Sequence, residues 1–266
     1  MIANEVAIRA LVKTAVEAYA DGFAKRHILE KNDPDGTINM KIHNVFISAL
    51  GKEIQYYTAL VRSLDSSLGN MLEKLAINIA QLFYAVSQQV EGILYAEQTR
   101  LIAEILEEYK SHRKKPSIED YKSLQVKTKA KSAKKTHNSD YYLIDRVSGD
   151  HYLIELKIGG DLDNKKARSE KEAILEQYAI LSNSISKNKK IRIYFATAYN
   201  RFGENKEWKQ ERVRQFFAKE ELLIGKDFWN FICKSPNGYN IVLDEYAKHA
   251  GIILKALENI KAEYLG

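Results

Sequence analysis

The segment from residue 140 to residue 157 constrains the fold most, because two short apolar runs flank the turn-forming pair Ser-Gly. This pattern predicts a β-hairpin. Side chains alternate between the two faces of a strand, so Leu153, Glu155 and Lys157 share one face of the second strand. The opposite face is entirely apolar and is interpreted as the buried one; it carries Tyr152, Ile154, Leu156 and Ile158.

The length of the hairpin loop decides which acidic residue of the first strand accompanies Glu155 and Lys157. With a two-residue loop, Asp140 pairs with Lys157 and shares its face, while Asp145 points the other way. A four-residue loop keeps this parity, whereas a three-residue loop reverses it and favours Asp145. We favour Asp140, because it is predicted to precede the strand and can bend toward the other two residues.

Two carboxylates and an ammonium group on one face suit the metal-assisted hydrolysis of a phosphodiester. Mg²⁺ prefers hard oxygen ligands, which Asp140 and Glu155 would supply. Such a cation polarises a phosphate and activates water, while Lys157 orients that water or offsets developing charge. Glu-x-Lys is also common on solvated strand faces, so this motif alone leaves a structural interpretation open.

A basic helix is predicted directly after this hairpin. Gly159-Gly160 allows a sharp exit from the strand, and Asp163 or Asn164 can cap a helix that continues through Leu181. Cations in a first helical turn oppose the helix dipole, which suggests an anionic partner such as phosphate. These cations are Lys165, Lys166 and Arg168. The alternative is an ordinary solvated basic turn.

A second basic segment precedes the hairpin. The formal net charge of the chain is only +6, but six lysines and no acidic residue lie between Tyr121 and Asn138. Lys127, Lys129 and Lys131 alternate, and on a strand they would form one basic edge suited to a phosphate backbone. The alternative is a flexible lysine-rich loop.

The remaining sequence predicts helices around a mixed sheet. Asp65 or Ser66 can cap a long helix whose apolar positions run from Leu68 to Val86, with Glu73 on its flank. Helix is predicted to continue past Gly92 and to end before Pro116. A strand is predicted at 191–199, followed by C-terminal helices. The single Cys233 is predicted to lie in the core, and the six histidines show no zinc spacing.

Three blocks of sequence give the chain a resemblance to a known family. Asp140…Glu155-Leu-Lys157 resembles the PD-(D/E)xK nuclease signature, with Ser139-Asp140 in place of Pro-Asp. The strand and loop through Ala167, the segment Ser66–Glu73 and the segment Gly225–Ile232 are similar to type II restriction endonucleases, particularly the Tde/Mja-type group. The resemblance implies a restriction-endonuclease-like α/β (α+β) core: a mixed central sheet flanked by helices, with a large helical N-terminal part.

The resemblance also implies a function and a site. The chain would be a Mg²⁺-dependent type II restriction endonuclease that cuts double-stranded DNA at a short palindrome of GGNCC type. Asp140, Glu155 and the Leu156 carbonyl would hold the metal, and Lys157 would position water. Glu73 would complete or bridge a second metal position. The enzyme would be a homodimer with a cognate DNA methyltransferase in the same system. Two alternatives are a repair or recombination nuclease of the same fold and a non-catalytic DNA-binding module.

The predicted organisation is one domain over residues 1–266. Residues 1–115 would be mostly helical and would contribute the first core helix, residues 116–200 would form the catalytic sheet core, and residues 201–266 the C-terminal helices. No signal peptide or membrane-spanning run is visible in the sequence. We therefore expect a cytoplasmic, prokaryotic protein without a membrane partner.

Overall fold

The computed structural model describes residues 2–125, 132–160 and 162–266. The chain divides into two compact units, which comprise residues 1–78 with 240–266, and residues 79–239. In chain order the helices and strands are α1 (Ile2–Leu29), α2 (Val45–Ser48), α3 (Lys52–Ala80), β1 (Tyr84–Tyr95), α4 (Ala96–Lys110), β2 (Ser132–Asp145), β3 (His151–Leu156), α5 (Asn164–Ser184), β4 (Ile191–Thr197), α6 (Glu211–Arg214), β5 (Leu222–Ile224), α7 (Lys226–Ile232) and α8 (Gly238–Leu265).

The first unit is helical. Its helix α1 buries side chains at a spacing of three to four residues, as an amphipathic helix does; they are Ile8, Val12, Val16, Ala20 and Phe23. Phe23 meets Tyr56 and Leu60 of α3 and Ile260 and Tyr264 of α8 in one apolar cluster. The Tyr264 hydroxyl donates a hydrogen bond to the main-chain oxygen of His27 at 2.9 Å.

The second unit is built on a five-stranded mixed sheet of order β1-β2-β3-β4-β5. The pairs β1–β2 and β2–β3 are antiparallel, and the pairs β3–β4 and β4–β5 are parallel. Parallel neighbours need a crossover connection, and α5 provides it between β3 and β4. This arrangement of a mixed sheet with flanking helices confirms the predicted fold class.

Both faces of β3 are covered, so the prediction of a single buried face was wrong. On one face, Leu153 belongs to the same apolar cluster as Ile174 and Leu175 of α5. On the other face, Tyr152 packs against Tyr84 of β1 and against Phe231 of α7. A central strand of a sheet that has helices on both sides is buried on both faces. Polar residues are unusual on such a strand.

The hairpin loop has four residues, 146–149, rather than two. Tyr141 pairs with Ile154 and Tyr142 with Leu153, and the Asp145 amide donates to the Asp150 carbonyl at 2.9 Å. Continuing this register by one residue places Asp140 opposite Glu155, not opposite Lys157. A four-residue loop assigns the side chains to the same faces as a two-residue loop does, so Asp140 stays on the face of Glu155.

The region after α3 corrects two further predictions. The helix ends at Ala80 rather than near Val86, and residues 84–95 form strand β1 instead of a helix that continues past Gly92. Gly92 allows α5 to approach the strand, because a Cβ added there would lie 2.6 Å from Cγ2 of Ile180. The sheet therefore begins well before residue 116.

Candidate active site

An irregularity in β2 determines the direction of the Asp140 side chain. Ser87 pairs with Tyr142 and Gln89 with Asn138, so three residues of β2 stand opposite one residue of β1. Before this bulge, Lys135 and His137 contact Glu176 of α5. After the bulge, Tyr142 packs against the apolar cluster that also contains residues of α5. The odd-numbered side chains of β2 therefore face α5 before the bulge, and the even-numbered ones face it after the bulge. Bulges of this kind re-aim side chains near functional sites.

Asp140 lies inside β2, whereas the sequence predicted that it precedes the strand. Its Oδ2 accepts a hydrogen bond from the Leu156 amide at 3.0 Å. This contact ties the carboxylate to the main chain of β3 beside Glu155. The bulge and the hydrogen bond together fix Asp140 at the position where β2 and β3 meet the loop before α5.

Glu155 is mostly buried on the α5 face of β3, with 13% of its side chain exposed. Its carboxylate forms an ion pair with the Lys157 ammonium. Burial and the charge of Asp140 raise the pKa of Glu155 to about 8; Lys157 opposes this rise and Glu170 adds to it. The neighbouring carboxylates therefore repel each other, as paired acids in an enclosed site do.

Lys157 lies between two carboxylates. Besides Glu155, its Nζ contacts Oε1 of Glu170 at 3.3 Å. Burial alone would lower the pKa of Lys157, but the charges of Glu155, Asp140 and Glu170 outweigh it and hold that pKa above its usual value. Lys157 is therefore a fixed cation in this structure and not a base.

Glu170 is a site residue that the sequence reasoning missed. It lies near the start of α5, which crosses back over the sheet after β3. Its spacing of four from Lys166 is ordinary for a helix surface, and no local motif distinguishes it from Glu172. Only the crossover connection brings it to Lys157.

The donor chemistry of this cluster fits a divalent cation. Three carboxylates, Asp140, Glu155 and Glu170, surround one ammonium, so negative charge is in excess. Within the described ranges, no group of three or more His, Cys, Asp or Glu side chains is arranged to hold a metal ion. Mg²⁺ does not need such a cage, because it is usually bound by one or two carboxylates together with water and substrate phosphates.

Asp145, the alternative first acid, has a different role in the structure. Its Oδ1 accepts hydrogen bonds from the amides of Val147 at 2.8 Å and Ser148 at 3.0 Å. Its Oδ2 pairs with the Lys234 ammonium. Asp145 thus stabilises the hairpin loop at the far end of the strands from Glu155.

The cations predicted to contact DNA differ in their settings. Asp163 is the N-cap of α5, and its side chain accepts the Lys166 amide at 2.8 Å. Lys165 and Lys166 are exposed, whereas Arg168 is half-buried. Its Nε is buried and has no hydrogen-bond partner among the described residues. Lys127, Lys129 and Lys131 lie outside the described residues.

Glu73 lies in α3, on the part of the chain that belongs to the first compact unit. Its contribution to the metal site stays a prediction. The Leu156 amide donates a hydrogen bond to Asp140. The role of the Leu156 carbonyl as a metal ligand also stays a prediction.

Comparison with known protein families identifies the class of protein to which this fold belongs. The family model described as "Type II restriction endonuclease, HinfI" matches residues 5–250. The chain therefore belongs to the HinfI family of type II restriction endonucleases, enzymes that act on double-stranded DNA and generally use divalent metal ions. The resemblance to type II restriction endonucleases is thereby confirmed, although the match names HinfI rather than the Tde/Mja-type group.

No curated protein and no solved structure matches the chain significantly. None of the helices among the described residues is long and apolar enough to cross a bilayer.

Proposed function

We propose that this chain is a Mg²⁺-dependent endonuclease that cuts both strands of duplex DNA at a short palindrome, with Asp140, Glu155 and Lys157 at its active site. The observation that carries the proposal is the convergence of these three residues on one face of β2 and β3, in a chain that belongs to a restriction endonuclease family. The same cluster on a solvated strand face would have no reason to be enclosed by α5.

Each residue of the cluster has a distinct task. Asp140 and Glu155 would hold Mg²⁺, with the Leu156 carbonyl as a further ligand. When bound, the cation supplies Lewis-acid polarisation of the phosphate and a more acidic water. Lys157, kept cationic by its neighbours, orients the attacking water and offsets charge that develops on the phosphate oxygens. Glu170 holds the Lys157 ammonium in position from α5.

The start of α5 and the lysine-rich segment would bind the DNA backbone. Lys165, Lys166 and Arg168 follow the catalytic strand directly, so phosphates bound there lie close to the site of cleavage. Lys127, Lys129 and Lys131 are assigned the same role from their spacing. Backbone contacts of this kind position the duplex but do not read its sequence.

A palindromic target and two scissile strands require two active sites, which a two-fold dimer provides. We infer a homodimer and a partner DNA methyltransferase that protects the host target. Similarity to Tde/Mja-type enzymes suggests GGNCC as the first sequence to test. The match to the HinfI family does not specify the target.

The test is cleavage of plasmid DNA by the purified chain with Mg²⁺, with EDTA, and with Glu155→Gln as the inactive control. Discrete fragments that require Mg²⁺ and disappear with Glu155→Gln support the proposal, and their ends give the target sequence. Cleavage confined to branched or flapped DNA would instead identify a repair nuclease. Tight DNA binding without any cleavage would identify a non-catalytic module. Either of these outcomes contradicts the proposal.

A further inference from the structure

A fully buried ion pair lies next to the candidate active site. Lys171, in α5, is 0% exposed, and Glu221, directly before β5, is 1% exposed. Nζ of Lys171 donates to both carboxylate oxygens of Glu221, at 2.7 and 2.8 Å. It also donates to the hydroxyl of Tyr121, which in turn donates to Oε1 of Glu221. We call these three side chains the Lys171 network.

The Lys171 network is enclosed by aromatic side chains and by main chain. The Lys171 ammonium lies 4.8 and 4.4 Å from the ring centroids of Tyr121 and Phe217. Oε2 of Glu221 accepts the Ala218 amide at 2.7 Å. Moving two charges out of water is costly, and apolar residues of similar volume often stabilise a fold equally well or better. The geometry that the network imposes therefore explains it better than its contribution to stability.

The Lys171 network joins α5 to the sheet at the level of the candidate site. Glu221 directly precedes Leu222, the first residue of β5. Leu222 pairs with Phe195 of β4, and Phe195 pairs with Glu155 of β3. The ion pair thus holds one turn of α5 against the same row of strand residues that carries Glu155.

This turn of α5 also carries Glu170, the residue before Lys171. Consecutive residues are about 100° apart around the axis of an α-helix, so a fixed direction of Lys171 also fixes the direction of Glu170. Oε1 of Glu170 lies 3.3 Å from Nζ of Lys157, and a small rotation of α5 would break this contact. Hydrogen bonds of defined length and direction select one rotation of the helix.

We propose that the Lys171 network positions Glu170, and through it Lys157, for DNA cleavage. Lys171, Glu221 and Tyr121 are positioning residues, because they act through Glu170. This inference rests on the proposed function, since that function gives Lys157 its task. It extends the site from β2 and β3 through α5 to the start of β5.

The experiment measures plasmid cleavage and DNA affinity for Lys171→Met/Glu221→Gln, alone and combined with Glu170→Gln. The double change removes both charges together and leaves neither unpaired. Methionine suits the aromatic rings around position 171, and glutamine can still accept the Ala218 amide. We expect turnover to fall by up to about tenfold, the loss expected for Glu170→Gln itself, with unchanged DNA affinity in the absence of Mg²⁺. In the Glu170→Gln background, the double change should cause no further loss.

Asn183→Ala is the matched control, because it also removes polar contacts of α5. The Asn183 side chain, near the other end of this helix, donates to the Ile93 carbonyl at 2.9 Å and to Gln98 at 3.0 Å. Its loss should leave turnover unchanged. Natural turnover in Lys171→Met/Glu221→Gln overturns the proposal, and so does an equal loss with and without Glu170.

Tyr121→Phe covers the case in which the double variant fails to fold. It keeps the ion pair and removes only the hydroxyl that joins Lys171 to Glu221. Turnover should fall in the natural background and should not fall further in the Glu170→Gln background. Natural turnover in Tyr121→Phe overturns the proposal.

A second measurement is independent of cleavage. Chemical denaturation of Lys157→Met, Glu170→Gln and their combination gives the coupling of these two side chains. The coupling should be about two- to fivefold in the unfolding equilibrium constant, and it should disappear in the Lys171→Met/Glu221→Gln and Tyr121→Phe backgrounds. No coupling in the natural chain, or the same coupling in all backgrounds, overturns the proposal. If the natural chain does not cut DNA, the proposed function fails and the coupling alone decides this inference.

Discussion

Oε1 of Glu170 lies 3.3 Å from Nζ of Lys157, although Glu170 belongs to α5 and Lys157 follows the end of β3. The helix that connects two parallel strands therefore returns a carboxylate to the lysine at the end of the first strand. This contact makes the orientation of Lys157 depend on the position of α5.

The first prediction concerns the two carboxylates proposed to hold the metal. Asp140→Asn and Glu155→Gln should each reduce cleavage by at least about a hundredfold, the scale of removing one preorganised electrostatic group. Both variants should keep the fold and bind DNA without Mg²⁺, because each keeps its volume. Asp145→Asn is the matched control and should still cut. An active Asp140→Asn with an inactive Asp145→Asn would contradict the assignment.

The second prediction concerns Lys157 and Glu170. Lys157→Ala should lower kcat far more than DNA affinity, because the lysine acts in the transition state. Glu170→Gln should lower kcat by roughly tenfold, and the two changes together should cost less than the product of both, since one acts through the other. Glu172→Gln, two residues along α5, is the control. Weak binding with normal turnover in Lys157→Ala would make this residue a phosphate anchor.

The third prediction concerns the basic start of α5. Neutralising Lys165 and Lys166 should weaken binding to cognate and random duplexes about equally. The slope of log affinity against log salt should flatten by about 0.9 for each lost phosphate contact. The same test applies to Lys127, Lys129 and Lys131. Lys25→Gln, at an exposed residue of α1, should leave the slope unchanged. A loss confined to cognate DNA would assign the lysines to base reading instead.

The fourth prediction is a dependence of stability on pH. Burial would raise the pKa of Asp145, but the Lys234 ammonium and the amides of Ser148 and Val147 lower it below its usual value. A carboxyl group whose pKa is lower in the folded state than in the unfolded state stabilises the folded protein at pH values above its unfolded pKa. This stabilisation is lost as the pH falls through the folded-state pKa. Asp145→Asn should therefore lose about 1–3 kcal/mol of unfolding free energy near neutral pH.

Chemical denaturation between pH 7 and pH 2 measures this effect. The difference in stability between the natural chain and Asp145→Asn should shrink below about pH 4, the region where a free aspartic acid titrates. Asp150→Asn, at the other end of the same loop, is a comparison without this ion pair. A difference that stays constant over the whole pH range would show that the Lys234 contact contributes nothing.

The fifth prediction concerns the turn after β3. Gly160 has φ +65°, and a Cβ at this position would lie 2.7 Å from Cγ2 of Thr197. Gly160→Ala should destabilise the fold by about 1–2 kcal/mol from the backbone conformation alone. It should also lower turnover, because Lys157 lies three residues away. Gly22→Ala, with open space around the site, is the control for thermal denaturation and cleavage.

The faces on which the hairpin residues lie could be predicted from the sequence, because side chains alternate between the two faces with a period of two along a strand. Both two- and four-residue loops placed Asp140 with Glu155, so an error in loop length did not matter. The strand β1 was not accessible, because Ala85, Gln88, Gln89 and Glu91 favour helix, and pairing with β2 overrides that preference. Glu170 could not be found either, since its role depends on the path of α5 over the sheet.

The bulge in β2 has a consequence for how relatives of this chain can differ in length. Residues inserted before Ser139 can be absorbed where the pairing with β1 is already irregular. One residue inserted between Tyr141 and Asp145 would instead turn Asp140 away from Glu155, because the paired segment there is regular. Relatives of this chain should therefore tolerate insertions and deletions before Asp140 but not in the strand segment that follows it.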